Sequence, residues 1–132
     1  MNKNTMKPSI LIVDDHFSIC CSLGKLLYKD YKVYRALNGK DALEIFWKNS
    51  DIDIILTDIN MPIMDGFELI ERVRIDNKDV IIIAMTAVST DENISEVMAK
   101  GANQYLPKPL DIPQLKLTLR ESIENKISAG TL

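Results

Sequence analysis

Five short apolar runs, each followed by a longer segment with helical spacing, constrain the fold of this chain more than any other feature. The runs are rich in β-branched residues and occupy residues 10–13, 33–37, 52–57, 80–84 and 104–106. The first, third and fourth runs are apolar almost without alternation, which is typical of strands covered on both faces. A half-exposed antiparallel strand would instead alternate apolar and polar side chains.

The segments that follow the runs carry apolar residues at the spacing of amphipathic helices, and their ends are marked. Asp65 begins the third helix, Gly101 ends the fourth, and Pro113 fits the first turn of the fifth. Caps for the fourth helix are offered by Ser89, Thr90 and Asp91. Alternating strands and helices with short loops predict a single α/β domain, with a doubly wound parallel sheet and helices on both faces.

Length, charge and hydropathy exclude several classes of protein. A chain of 132 residues suits one compact domain, which we place at residues 9–125, with flexible termini at 1–8 and 128–132. Sixteen Lys and Arg against 19 Asp and Glu give a net charge of −3, which argues against direct binding of nucleic acid. No run approaches the roughly 20 apolar residues of a membrane helix, and the polar start lacks a secretory signal. We therefore expect a cytoplasmic domain without membrane contact.

The cysteines and the histidine offer little chemistry on their own. Cys20 and Cys21 are adjacent, which suits neither a disulfide nor a zinc site. His16 is the only histidine, so arrangements that need two imidazoles are excluded. Because nothing in the sequence fixes its orientation, His16 is a poor candidate for a general base.

Polar side chains follow four of the predicted strands at the point where each strand ends. Asp14 and Asp15 follow the first strand, Asp58 the third, Thr86 the fourth and Lys108 the fifth. Ligands of parallel α/β sheets bind outside the carboxyl ends of the strands. We therefore expect these five side chains to meet at one rim of the sheet.

Each of these residues also has an ordinary structural interpretation. An acid between a strand and a helix is often a helix cap, Lys108 could lie over the sheet edge, and Thr86 suits a strand. Three carboxylates in one crevice are harder to explain in this way, because like charges destabilise the fold unless a cation compensates them. A site of oxygen ligands with room for water and phosphate suits Mg²⁺.

Taken together, these motifs resemble the receiver domain of two-component response regulators. The family's motifs are Asp14-Asp15, Asp58-Ile59-Asn60-Met61-Pro62-Ile63-Met64-Asp65-Gly66, Met85-Thr86-Ala87 and Lys108-Pro109, and they stand in the family's order at matching strand ends. The resemblance covers residues 9–125. It implies a flavodoxin-like (βα)5 fold whose five-stranded parallel sheet has the order 2-1-3-4-5.

The resemblance also implies a phosphoacceptor and a metal site. Asp58 would accept a phosphoryl group from the phosphohistidine of a sensor histidine kinase or a histidine phosphotransfer protein. Asp15 and Asp58 would bind Mg²⁺ directly, together with the main-chain carbonyl of Asn60, and Asp14 would act through water. The Lys108-Pro109 peptide would be cis.

The same resemblance implies a switch. Lys108 would contact the phosphoryl group, while Thr86 would donate its hydroxyl to a phosphoryl oxygen with help from the amide of Ala87. Tyr105 stands where the family has its switch aromatic: it either turns inward after Thr86 moves or stays an exposed edge tyrosine. The fourth helix, fifth strand and fifth helix would form the surface that controls an unknown output partner.

Three functions remain to be compared. The first is a phosphoacceptor that turns over no external substrate and so is not an enzyme. The second, a Mg²⁺-dependent phosphohydrolase with an aspartyl nucleophile, is disfavoured by the adjacent acids and the lack of room for a cap. The third is an interaction module that is never phosphorylated, which the intact acidic and basic motifs disfavour. A stand-alone regulator and a fragment of a hybrid kinase or longer regulator are both open, as are a monomer and a weak homodimer.

Overall fold

The structure is a computed structural model that describes residues 7–128, in which strands and helices alternate throughout. The strands are β1 (Ser9–Val13), β2 (Lys32–Ala36), β3 (Ile52–Asp58), β4 (Ile81–Thr86) and β5 (Gln104–Pro107). The helices are α1 (Phe17–Leu27), α2 (Gly39–Lys48), α3 (Gly66–Asp76), α4 (Asp91–Lys100) and α5 (Ile112–Ser128).

All neighbouring strands pair in parallel, and their order across the sheet is β2-β1-β3-β4-β5. The strand order that the resemblance implied is therefore confirmed. Every residue of β1 and β4 is buried, whereas the edge strands β2 and β5 are mostly accessible. This difference explains why the first and fourth apolar runs of the sequence do not alternate.

The sheet separates two apolar cores. On β1, Leu11 and Val13 face the core formed with α2, α3 and α4, while Ile10 and Ile12 face the core formed with α1 and α5. Cys20 is buried in the second core, and burial raises the pKa of its thiol to about 11. Both cysteines are free.

The helix ends agree with the cap residues in the sequence. Asp65 accepts a hydrogen bond from the Glu68 amide at the start of α3, and Thr90 does the same for Asn93 at the start of α4. Gly101 ends α4 with a φ of 124°, which a residue with a side chain rarely adopts.

Gly66 lets α3 begin against the end of β3. A Cβ at this position would clash with the carbonyl oxygen of Asp58, and the Gly66 amide donates to the carbonyl of Ile59 at 2.7 Å. The backbone around Asp58 is therefore held by a close approach that only glycine allows.

The predicted flexible termini are described only in part. Pro8 accepts a hydrogen bond from the Lys32 amide, and Ser128 is the last residue of α5 rather than part of a tail. Residues 1–6 and 129–132 lie outside the described residues. Within 7–128, no helix combines the length and apolarity needed to cross a bilayer.

Candidate functional site

Four side chains meet at the carboxyl rim of the sheet, where β1 and β3 lie side by side. They belong to Asp14, Asp15, His16 and Asp58, and one ligand atom from each lies within 4.8 Å of the others. Val13 pairs with Thr57 in the parallel β1–β3 ladder, so Asp14, which follows Val13, and Asp58, the last residue of β3, lie at the same end of the sheet. The sequence prediction that these acids converge is thus matched by the geometry.

Asp14 has a fully buried carboxylate that accepts from two donors, Lys108 and the His16 amide, and lies beside the His16 ring. Its Oδ2 lies 2.9 Å from Nζ of Lys108, and its Oδ1 accepts from the His16 amide at 2.9 Å and lies 3.0 Å from Nδ1 of His16. Burial raises the pKa of Asp14, but these hydrogen bonds and the charge of Lys108 outweigh it and hold the pKa below its usual value. Asp14 is therefore a fixed anion at the back of the site.

Asp58 lies beside Asp14 in a different electrostatic environment. Its Oδ1 accepts from the Ile59 amide at 2.8 Å, and its Oδ2 lies 3.3 Å from Nζ of Lys108. Burial raises the pKa of Asp58, attraction to Lys108 opposes this, and repulsion from Asp14 adds to it, so the pKa lies above its usual value. A further cation near Asp58 would favour its ionised form.

Lys108 reaches the site from the end of β5. Its backbone amide donates to the Thr86 carbonyl at 2.8 Å, and its peptide bond to Pro109 is cis, as the resemblance predicted. Burial lowers the pKa of Lys108, but the contacts with Asp14 and Asp58 outweigh it and raise the pKa above its usual value. The lysine is therefore charged and shared between two carboxylates.

Asp15 provides the observation that tests whether these residues fit a metal ion. Its Oδ1 is buried but accepts no hydrogen bond from the described part of the chain, and Nδ1 of His16 lies 3.4 Å away. A buried carboxylate oxygen without a donor is costly unless a cation binds it. The acidic group can therefore hold a metal ion. Asn60 lies exposed just beyond β3, and the role of its carbonyl stays a prediction.

Thr86 is buried at the end of β4, and its hydroxyl is turned to its own loop. It donates to the Val88 carbonyl at 2.9 Å and accepts from the Val88 amide at 3.1 Å. The Asn93 side chain of α4 donates to the same Val88 carbonyl at 3.1 Å. Ala87 is exposed beside it. The predicted contact of Thr86 with a phosphoryl group stays a prediction.

Tyr105 lies on the edge strand β5 with 36% of its surface exposed. This orientation corresponds to the exposed edge tyrosine of the two sequence interpretations. An inward rotation of the ring, the other interpretation, stays a prediction.

His16 is the residue whose placement the sequence interpretation missed. Its amide donates to the Asp14 carboxylate two residues earlier, an Asx-turn that aims the imidazole at the two acids. The signal in the sequence was an aspartate two residues before His16 at a strand end, which is the spacing of an Asx-turn. The statement that nothing fixes the orientation of His16 is therefore wrong.

Comparisons with known proteins give a consistent result. The family model described as "Response regulator receiver domain" matches residues 10–120. The chain is 40% identical over 115 residues to the transcriptional regulatory protein ZraR of Klebsiella oxytoca, covering 86% of this chain but 26% of that protein. It is 33% identical over 122 residues to the sporulation initiation phosphotransferase F of Bacillus subtilis, covering 92% and 98% of the two chains.

A solved structure agrees with the sequence relatives. The receiver domain of the response regulator Ssk1 of Saccharomyces cerevisiae, crystallised with the histidine phosphotransfer signaling protein Ypd1, superposes with a TM-score of 0.78. The two chains are 28% identical, and the match covers 83% of this chain and 84% of that one.

Proposed function

The chain belongs to the response regulator receiver domain family and is a phosphoacceptor of two-component signalling, and we propose that Asp58 takes the phosphoryl group. The observation that carries this proposal is the position of Asp58, with Lys108 at 3.3 Å and the other acids within one metal site. A transferring phosphoryl group needs an aligned nucleophile and compensation of its negative charge.

Each of these residues has a defined part in the transfer. A carboxylate oxygen of Asp58 forms a bond to phosphorus while the bond from phosphorus to the donor's histidine nitrogen breaks. The Ile59 amide holds Oδ1 of Asp58 and so fixes the carboxylate during attack, while Lys108 compensates charge on the equatorial oxygens. Mg²⁺, held by Asp15, Asp58 and the Asn60 carbonyl with Asp14 acting through water, would supply further charge compensation.

The acyl phosphate adds negative charge and acceptor oxygens at Asp58. Thr86 would then exchange the Val88 carbonyl for a phosphoryl oxygen, with the Ala87 amide as a second donor. The space left behind β4 would admit the ring of Tyr105. We propose that the surface of α4, β5 and α5 changes with these movements and controls the output partner.

The proposed phosphodonor is a sensor histidine kinase or a histidine phosphotransfer protein. The Ssk1 receiver, which shares this fold, was crystallised with a phosphotransfer protein.

We propose that the chain is a monomer or weak homodimer that turns over no external substrate. We also propose a cytoplasmic location.

Phosphorylation by a small donor tests the assignment of Asp58. The protein is incubated with acetyl phosphate and Mg²⁺, and intact mass is recorded before and after base treatment. We expect one base-labile phosphoryl group, which is absent in Asp58→Asn and much reduced when Mg²⁺ is chelated. Asp53→Asn, on the same strand, is the control and should be labelled like the wild type.

Two outcomes would contradict the proposal. Labelling that persists in Asp58→Asn would move the phosphoacceptor to another residue. Steady release of phosphate from added phosphomonoesters, abolished in Asp58→Asn, would favour the phosphohydrolase.

A further inference from the structure

We propose that His16 is a nitrogen ligand of the divalent metal site and gives this site a preference for transition-metal ions over Mg²⁺. The inference rests on the proposed function in one respect, because it assigns a metal ion to the same acidic residues. It concerns which ions bind there, and it does not depend on which residue is phosphorylated.

The donor atoms have the separations that a small octahedral ion requires. Nδ1 of His16 lies 3.0 Å from Oδ1 of Asp14 and 3.4 Å from Oδ1 of Asp15. First-row divalent ions hold nitrogen and oxygen ligands at about 2.0–2.2 Å, so that adjacent ligands at right angles are about 3 Å apart. Nδ1 of His16 and Oδ1 of Asp15 are thus near enough to be adjacent ligands of one ion, while Asp14, which would act through water, lies beside the ring.

The local backbone directs the ring to this position. The His16 amide is bonded to Oδ1 of Asp14 at 2.9 Å, which brings the side chain back over the acidic residues. His16 is the N-cap residue of α1, but its side chain makes no capping hydrogen bond to the helix. The imidazole is therefore not required for helix capping.

Charge compensation distinguishes a ligand from a simple hydrogen bond. Nζ of Lys108 already forms ion pairs with Oδ2 of Asp14 and Oδ2 of Asp58. Oδ1 of Asp15 remains buried and without a hydrogen-bond donor in the described chain, even though the His16 ring is beside it. If His16 only donates a hydrogen bond to Asp14, Oδ1 of Asp15 has no partner. A cation bound to both the imidazole nitrogen and this oxygen would provide one.

The chemistry of the donor set predicts the selectivity. Mg²⁺ prefers oxygen ligands, whereas imidazole favours Ni²⁺, Zn²⁺ and related ions. Removing the imidazole should therefore weaken Ni²⁺ binding far more than Mg²⁺ binding. A site made of carboxylates alone would lose both ions by similar factors or by none.

Calorimetric titration with Ni²⁺ and with Mg²⁺ is the first test. It compares the untagged wild-type protein with His16→Ala and His16→Gln. We expect Ni²⁺ affinity to fall about tenfold or more in both variants, and Mg²⁺ affinity to change by less than about threefold. Phe17→Ala, an exposed neighbour without polar side-chain atoms, should keep both affinities. Circular dichroism checks that each variant is folded.

A spectroscopic test identifies the ligand directly. Electron spin echo envelope modulation of Mn²⁺ bound to the protein detects coupling to a directly bound imidazole nitrogen. Because the chain contains one histidine, such a signal in untagged protein can come only from His16. We expect the signal in the wild type and its loss in His16→Gln.

The outcomes separate this inference from the proposed function. If nitrogen coupling is absent and the ratio of Ni²⁺ to Mg²⁺ affinity is unchanged in His16→Ala, His16 makes only a hydrogen bond and the inference is overturned. Labelling of wild-type Asp58 in Mg²⁺ would still support the proposed function in that case. Nitrogen coupling without any labelling of Asp58 would support the inference and overturn the phosphoacceptor assignment.

Discussion

Lys108 and Asp14 are 94 residues apart in the sequence, yet Nζ of Lys108 lies 2.9 Å from Oδ2 of a carboxylate that is wholly buried. The same ammonium group lies 3.3 Å from Oδ2 of Asp58. Lys108 therefore compensates the repulsion between neighbouring carboxylates, and a divalent ion bound at this site would have the same effect. The lysine and the metal ion should then have opposing effects on each other.

Replacement of Lys108 by alanine tests this relationship. In metal-free buffer we expect Lys108→Ala to lower the free energy of unfolding by about 3 kcal/mol, because it leaves the buried Asp14 without its cation. The same variant should bind Mg²⁺ more tightly, since a positive charge has left the site. Urea unfolding with and without Mg²⁺ measures both effects, and Mg²⁺ should recover part of the lost stability.

Lys100→Ala is the matched control. Lys100 pairs with Glu71 at 3.4 Å on the surface, where Glu71 is 60% exposed. We expect a loss below about 1 kcal/mol and no change in Mg²⁺ affinity. Equal losses in the two variants would show that the Lys108 contacts carry no special stability.

Asp58 and Asp51 should respond to pH in opposite directions. Burial raises the pKa of Asp58, the charge of Lys108 lowers it, and the charge of Asp14 raises it. The folded-state pKa of Asp58 therefore lies above its ordinary value of 3.8. Its ionisation therefore costs stability, and this cost develops as the pH rises from the unfolded pKa through the folded pKa. In metal-free buffer at pH 7, we expect Asp58→Asn to be more stable than the wild type, with the gap closing below pH 3.8.

Asp51 is the control of opposite sign. Burial raises its pKa, but hydrogen bonds from Ser9, Tyr34 and Lys32 outweigh it and lower the pKa below 3.8. The stability that its ionisation contributes is present above pH 3.8 and is lost as the pH falls through the folded pKa. Asp51→Asn should therefore be the less stable protein at pH 7, as measured by urea unfolding across the acid range. A shift of the same sign in both variants would contradict these directions.

The sheet and the meeting of most site residues could be predicted from the sequence, because a parallel sheet brings the ends of its strands together. Once β1, β3 and β5 are recognised as parallel strands, their carboxyl ends share one rim, whatever the separation of Asp14, Asp58 and Lys108 in the chain. The ends of strands were predicted less well. The fourth apolar run stopped at residue 84, but β4 continues to Thr86, which pairs with Pro107 of β5.

Features that depend on tertiary contacts could not be predicted in this way. The ring of His16 is aimed by a hydrogen bond to a side chain whose burial is visible only in the fold. Arg74 has the helical spacing of an ordinary surface residue, yet it donates hydrogen bonds to the segment before β4 and to the loop after α4. A backbone conformation such as that of Ile63, with a φ of 72°, contradicts the preference of its own residue type.

Arg74 is expected to be a major determinant of stability. Its guanidinium donates to the carbonyls of Gly101, Asn77 and Val80 and to the side chain of Asn103, at 2.7–3.2 Å. These bonds join the end of α3 to the start of β4 and to the loop after α4. Arg74→Ala should lower the free energy of unfolding by about 2–4 kcal/mol, because partly buried carbonyls lose a charged donor. Denaturant unfolding measures the change.

Arg72 provides the control within the same helix. It pairs with Glu68 at 3.1 Å, and both side chains are about half exposed. Arg72→Ala should cost less than about 0.5 kcal/mol. If the two arginine variants lose similar stability, the bonds of Arg74 are not structural.

Ile63 carries the last prediction, because a β-branched residue is held here in a strained conformation. Its φ is 72°, and the Met64 amide donates across it to the Pro62 carbonyl at 2.8 Å, which closes a three-residue turn. Glycine adopts positive φ freely and would remove about 1–2 kcal/mol of strain, while its extra freedom in the unfolded chain costs about 0.5–1 kcal/mol. Ile63→Gly should therefore raise the free energy of unfolding by up to about 1.5 kcal/mol.

Ile75→Gly separates strain from the loss of an apolar side chain. The two isoleucines are similarly exposed, at 76% for Ile63 and 71% for Ile75, but Ile75 lies in α3 with helical backbone. Glycine in a helix is unfavourable, so Ile75→Gly should lower the free energy of unfolding by about 0.5–1 kcal/mol. Parallel urea unfolding of the two variants should give changes of opposite sign. At this exposed position, the one gain that glycine offers is relief of the positive φ. A loss of stability in Ile63→Gly would therefore mean that the turn stores no strain.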